Sequence, residues 1–337
     1  MLRRYALIIL CVCLTAGCSK KLPDVAKAVP ADADLVATMD AKATLAYAKQ
    51  AITKAVPAEH KDKVPGVEMI LKKAAEMIGI DLEKLGKVTY IGWLGSQEQM
   101  AFIAEGVDAK SLKGQKKGAH NGIDTYAAEM VHYAQLEKLG TLAAPTEAVL
   151  KKVLDAYAGK SKRIADTDRA DVFEKLLQVE KDHDQLRLYV LTGRIPGEMP
   201  LPYKIKGGGF FLHVDRGATA TVVAEQDDAK ELKNKIDMGM MVVQMALAAG
   251  GKDMGLPVEI DAATQKSVID MLKNIKTRQK GEIVTIGYKG DLKPLIDKAI
   301  AMGIQQAFQE EAREPGVIPA AEIENLPPKP VAEPAKK

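Results

Sequence analysis

Leu186-Arg187-Leu188-Tyr189-Val190, Phe210-Phe211-Leu212-His213-Val214 and Ala218-Thr219-Ala220-Thr221-Val222-Val223 are the stretches whose reading decides the fold class. In the first, Leu186, Leu188 and Val190 fall on alternate positions, and in the second Phe210, Leu212 and Val214 do the same. Period-two alternation marks a strand with one buried face, and neighbouring strands of this kind pair antiparallel. The spacing therefore predicts three antiparallel strands over 185–192, 208–215 and 218–225. The glycines Gly207, Gly208 and Gly209 read as a flexible turn that enters the second strand, without the spacing of a dinucleotide fingerprint.

Outward from this block the period changes. Asp227 or Asp228 is placed to cap a long helix on which Leu232, Ile236, Met240, Val243 and Leu247 form one stripe. A further helix from Asp261 carries Val268, Met271, Leu272 and Ile275, followed by a strand over 282–288 and a last helix from Asp291. Upstream, strands are expected over 35–39, 87–94, 99–105, 123–128 and 132–139. Helices are expected from Ala41 (Leu45, Ala48, Ile52), over 66–78 with Gly79 as its cap, from Thr146 to Gly159, and around Val172, Phe173, Leu176 and Leu177. The expectation is an α+β fold, mainly antiparallel sheet packed by amphipathic helices, in two loosely similar halves at 30–160 and 161–312. Residues 313–337 hold six prolines and read as a disordered or extended tail.

The first residues have another character. Arg3 and Arg4 precede the uncharged run 6–14, and Thr15-Ala16-Gly17-Cys18 follows, the layout of a secretory signal peptide over 1–17. The apolar stretch of residues 5–17 would cover about 20 Å as a helix, too short for a ~30 Å hydrocarbon core. Cys11, Cys13 and Cys18 are the only cysteines, so a processed chain would carry one thiol at its end and a body free of disulfides and cysteine-bound zinc. Residues 18–29 read as a flexible polar tether leading to the turn at Pro30-Ala31-Asp32-Ala33-Asp34.

The segment ending Leu14-Thr15-Ala16-Gly17-Cys18 resembles the lipobox of bacterial lipoproteins. With Pro30-Ala31-Asp32-Ala33-Asp34-Leu35-Val36-Ala37, Tyr90-Ile91-Gly92, Ala101-Phe102-Ile103-Ala104-Glu105-Gly106 and Ala156-Tyr157-Ala158-Gly159-Lys160, the chain is similar to a group of bacterial lipoproteins of uncharacterised function. The resemblance implies diacylglycerol on the Cys18 sulfur, an α+β envelope protein attached to the membrane through acyl chains on Cys18, and no catalytic residues. Ser19 after that cysteine resembles the sorting signal for the outer membrane. The terminal Lys336-Lys337 resembles the lysine through which some lipoproteins are tethered to peptidoglycan.

Composition excludes other classes. The chain has 337 residues, 47% hydrophobic and 28% charged, as expected for a globular protein. Its formal charge is +3, lowered by two if Arg3 and Arg4 are removed, and aromatics make up 4%, so the basic, aromatic-rich surface of a nucleic-acid binder is missing. Gly159-Lys160-Ser161 has Leu154 where a phosphate loop needs glycine. Asp166, Asp168 and Asp171 lack the glycine and the twelfth-position glutamate of a calcium loop. His60, His120, His132, His183 and His213 are scattered without zinc spacing, and Asp182-His183-Asp184 is an adjacent triplet whose members do not face one another. No Gly-x-Ser-x-Gly elbow occurs. The expectation is a non-enzymatic protein with no metal or cofactor that binds an envelope protein, plays a structural role, or carries a lipid or other apolar ligand. The candidate groove for such a ligand is the soft helix with Met238, Met240, Met241 and Met245, since methionine adapts to irregular apolar partners. Core packing of this helix on the sheet is the commoner arrangement for such a segment.

Overall fold

Every strand among the described residues joins one antiparallel sheet of twelve, in the order β11-β12-β10-β9-β8-β1-β2-β3-β7-β6-β5-β4. The computed structural model describes residues 22–56, 84–95, 99–128, 131–179, 185–192, 202–248 and 262–313. The strands are β1 (Leu35–Asp40), β2 (Lys87–Gly92), β3 (Met100–Ala104), β4 (Gln115–His120), β5 (Ile123–Ala128), β6 (Val131–Leu136), β7 (Gly140–Ala144), β8 (Leu186–Val190), β9 (Ile205–His213), β10 (Gly217–Ala224), β11 (Ile275–Lys280) and β12 (Ile283–Lys289). The helices are α1 (Ala41–Ala55), α2 (Glu147–Tyr157), α3 (Arg169–Val179), α4 (Gln226–Ala248), α5 (Ala262–Asn274) and α6 (Lys293–Arg313). The fold is α+β. The strands of 30–160 and those of 161–312 each occupy one contiguous part of the sheet, and β1 and β8 pair where the parts meet.

One face is closed by α2, α3 and the N-terminal segment. Thr146 caps α2 through its side chain, and Gly159, at φ +69°, ends it as only glycine does without strain. Between these stops Val149, Leu150, Val153, Leu154 and Ala156 are buried. The first four of these join Val36, Ile91, Ile103, Leu142, Phe173, Tyr189 and Phe211 in a single apolar cluster. Phe173, Tyr189 and Phe211 pack edge to face, with centroids 4.8 and 5.5 Å apart.

The alternation in the sequence selects the other face. Leu186 pairs with Leu212 and Leu188 with Phe210, so the stripe is in register across β8 and β9. These residues are only half-buried, and Phe210 is 37% exposed, whereas Tyr189 and Phe211 between them are 3% and 1% exposed. Cross-strand pairing extends this second apolar row through Ala220, Phe210, Leu188, Ala37, Tyr90, Phe102 and Ala143. The central strands thus carry apolar residues on both sides, yet only one face is deeply buried, and the alternation in the sequence marks the shallower one, where Phe210 and Phe102 are 37% and 39% exposed.

Other expectations change as well. Gly207–Gly209 is not a turn but the middle of β9, where a Cβ on Gly207 would stand 2.6 Å from the Val190 carbonyl oxygen. Ile275 belongs to β11 rather than to the preceding helix, and β4 and β7 are additional strands. The part of the expected tether that is described, residues 22–29, packs instead of dangling: Ala26, Ala28 and Val29 are 1%, 0% and 0% exposed. Small apolar side chains beside Lys27 look polar in sequence yet pack in the core cluster next to the 164–166 turn, where the Val29 carbonyl accepts from the Ile164 N–H at 2.9 Å. The edge strands carry Lys116 and Lys117 on β4 and Lys276, Arg278 and Lys280 on β11, which discourages further strand pairing.

Several expectations fall outside the described residues. They are the signal segment with Cys18, the 66–78 helix, the Asp182-His183-Asp184 triplet, the side chains of Leu247 and Val268, and the tail from 314 to Lys337.

Candidate functional site

Helix α4 begins as a solvated helix and changes character midway. Ion pairs Lys233–Asp237 at 2.5 Å and Lys235–Glu231 at 3.0 Å decorate its first half at the i,i+4 spacing. Neither Asp227 nor Asp228 precedes the helix, which starts at Gln226; Asp228 instead accepts a hydrogen bond from the Lys204 backbone N–H at 2.8 Å. The side of α4 that meets the sheet is anchored by Ala229 and Ile236 against Ala224 and Val284. Leu232, Met240 and Gln244 continue that stripe at ~100° per residue, and Gln244 donates to the Leu272 carbonyl at 3.1 Å.

Opposite this stripe lies a second apolar one. Met238, Met241, Val242 and Met245 are 62%, 59%, 58% and 58% exposed. By helical geometry the four fall within an arc of about 100°, diametrically across from Ala229, Ile236 and Met240. The second half of α4 is therefore apolar on two sides, a pattern normally found only where both sides are covered. Of the methionines singled out in the sequence, α4 brings Met238, Met241 and Met245 together on the outer side and places Met240 on the sheet side. Val242 belongs with the outer three. Projecting the sequence onto a helix would have found it, because its position relative to Ile236 follows from the period alone.

The polar clusters elsewhere perform structural work. Arg163 clasps Asp166 through Nε at 2.8 Å and Nη2 at 3.0 Å. His120 Nε2 lies 2.7 Å from Asp155 Oδ1, and Asn121 donates to the same oxygen at 2.8 Å, tying the β4–β5 turn to α2. Partial burial pushes the Asp155 carboxyl up, but the bonds from Asn121 and His120 outweigh it and leave the pKa lowered. Tyr47 donates to Asp297 at 2.7 Å, joining α1 to α6, and burial followed by that carboxylate holds its phenol protonated well above the ordinary range. Glu282 takes Lys175 at 2.5 Å and Lys206 at 2.6 Å, linking β12 to α3 and β9. Those two ammonium groups lower its pKa to about 2. Among the described residues no group of three or more His, Cys, Asp or Glu could hold a metal ion, and no helix is long and apolar enough to cross a membrane.

No family model matches the chain, and no curated protein matches it. Among solved structures, crystal form IV of TP0453 aligns with a TM-score of 0.44 at 11% identity, covering 85% of this chain and 100% of that one. Crystal form III gives 0.40 at 12%, covering 81% and 97%, and crystal form I gives 0.39 at 12%, covering 82% and 96%. Likeness at this level is one of outline and transfers no residue role.

Proposed function

We propose that this chain is a lipid-anchored protein of the bacterial cell envelope, with acyl chains on Cys18 holding it at the membrane, outer by the Ser19 signal, and with a binding rather than a catalytic role. The observation that carries the binding reading is the outer strip of α4, Met238, Met241, Val242 and Met245, left in water opposite the helix's buried stripe. Covering it would contribute about 1 kcal/mol per side chain, given ~1.5–3 kcal/mol for full burial of a large apolar residue and the fraction still exposed. Methionine suits acyl chains, which have no fixed shape to complement. The ligand class that follows is an amphiphile whose apolar part lies along the strip.

The packed N-terminal segment supports the anchoring half of the reading. Because Leu22 already leads into a 3-10 turn at Asp24–Lys27, four residue steps separate the body from Cys18, at most about 14 Å of chain. Two acyl chains at ~0.8 kcal/mol per buried methylene would then hold the body against the bilayer surface. Cys18→Ala should release the chain from the membrane fraction, and its retention there would overturn the anchor. Mass spectrometry of gently purified protein should find a bound amphiphile; protein that is bare whenever it is extracted without detergent would overturn the binding role.

A further inference from the structure

Strand β11 ends the sheet, with β12 on one side and no described strand on the other. It carries Lys276, Arg278 and Lys280, exposed and at alternate positions, so all three stand on one face of the sheet about 7 Å apart. That face is the one turned away from α4, because α4 meets β12 through Val284, whose register partner is Gln279. Among the described residues these three cations have no ionic partner. Glu282 in the same hairpin is taken by Lys175 and Lys206, and Asp270 at the end of α5 by Lys273.

The edge beside this row is a line of backbone groups. Thr285 Oγ1 donates to the Arg278 carbonyl at 3.4 Å, and Thr285 is the register partner of Arg278, so that carbonyl points towards β12. Direction alternates along a strand, so the N–H and C=O groups of Lys276 and Lys280 also turn inward, and those of Ile275, Thr277 and Gln279 turn outward. A strand added here would hydrogen-bond to Ile275, Thr277 and Gln279. It would meet Lys276, Arg278 and Lys280 at the non-hydrogen-bonded positions, where opposed side chains come closest. Like charge at those positions repels a basic strand, whereas each opposite charge adds a favourable cross-strand pair.

We propose that the free edge of β11 is a docking site for an extended acidic segment of a partner protein, with Asp or Glu at alternate positions, added as a further antiparallel strand. Main-chain hydrogen bonds supply the affinity, and the row of three cations selects the acidic sequence and fixes its register. The charges that discourage pairing between the edges of two copies of this chain are thus the same ones that specify the partner. The site uses neither the α4 strip nor the Cys18 anchor, so it stands or falls without them.

Fluorescence anisotropy of a short labelled peptide of alternating threonine and glutamate, titrated with the full chain at low salt, tests the assignment. The peptide should bind with a Kd on the order of 0.1 mM and weaken as salt is added. The same peptide with lysine for glutamate should not bind. A version with proline for the central threonines keeps every charge but loses the backbone donors that face β11, and it should bind at least about tenfold more weakly. Arg278→Glu, an exposed change in the middle of the row checked for its native circular dichroism, should weaken the acidic peptide by at least about fivefold. Equal affinity for the proline version would mean attraction to any polyanion and would overturn the strand. An unchanged Kd in Arg278→Glu, or no rise in anisotropy up to about 1 mM protein, would overturn the docking site itself. Should Arg278→Glu fail to fold, Lys280→Glu and the proline comparison decide it.

Discussion

Helices α2 and α4 carry comparable apolar content yet meet opposite fates. In α2, eleven residues long, five side chains are buried, four of them in the main cluster. In α4, twenty-three residues long, Ala229 alone is fully buried among the residues whose side chains are described, and the softest apolar residues face outward. Both helices have the periodicity of amphipathic elements. What separates them is the number of apolar stripes each carries: one stripe finds one sheet face, and a second stripe finds nothing in the described fold. A surplus stripe of this kind contributes little to folding and is free to serve binding.

Stability measurements can break that contrast. Leu154, at 0% exposure on α2, should cost about 2–5 kcal/mol when changed to alanine, because its methylenes leave water-free contacts and a cavity that collapses only in part. Urea unfolding of Leu154→Ala beside Met241→Ala gives the comparison directly. A loss for Leu154→Ala no larger than that for Met241→Ala would mean that the two helices are not distinguished by burial at all.

Glu282 gives a smaller and pH-dependent effect that belongs to the packed face. Its carboxylate joins β12 to Lys175 of α3 and Lys206 of β9 and is 28% exposed, so the paired charge is worth about 1–2 kcal/mol rather than the full value of an isolated shift. The folded-state pKa of about 2 lies below the ordinary 4.5, so the folded form takes up the proton less readily. The contribution is accordingly present in full above pH 4.5 and is lost as the pH falls from there towards 2. Glu282→Gln should lower stability at neutral pH, and the difference from the unaltered chain should shrink over that acid window. A gap that stays constant down to pH 2 would assign the loss to packing instead of charge.

Much of this architecture is legible in the sequence because it is local. Thr146 and Gly159 bound α2 as cap chemistry dictates, and the 186/188/190 and 210/212 stripes fall into true register. The sequence cannot say which face of a strand is deeper when both are apolar: Tyr189 and Phe211 outrank Leu188 and Phe210 only because α3 lies over them. The QKKGAH run that forms β4 has no apolar face to betray it, being an edge strand nearly all exposed. The cross-strand row of Arg187, Thr38 and Thr89 is equally hidden, since its members are far apart in the chain and meet only through the β8-β1-β2 pairing. The methionine strip sits between these extremes. Its residues are visible in sequence, and its exposure depends on α4 already having filled its contact with the sheet.

That dependence yields the smallest stability effect and the sharpest functional one. Met241→Gln puts a polar amide on a side chain that is 59% exposed, so unfolding in urea should shift by less than about 0.5 kcal/mol. The same change places a group that prefers water in the middle of the strip, where an acyl chain would have to strip its hydration. Binding of a fluorescent fatty-acyl probe should therefore weaken several-fold in Met241→Gln and further in Met241→Gln with Met245→Gln, while Met240→Gln, on the sheet side, should cost stability and leave probe affinity alone. The reverse pattern, with Met240 controlling the probe and the outer methionines silent, would move the binding surface from the outside of α4 to its junction with the sheet. The comparison between α2 and α4 would then have to be drawn between two buried helices.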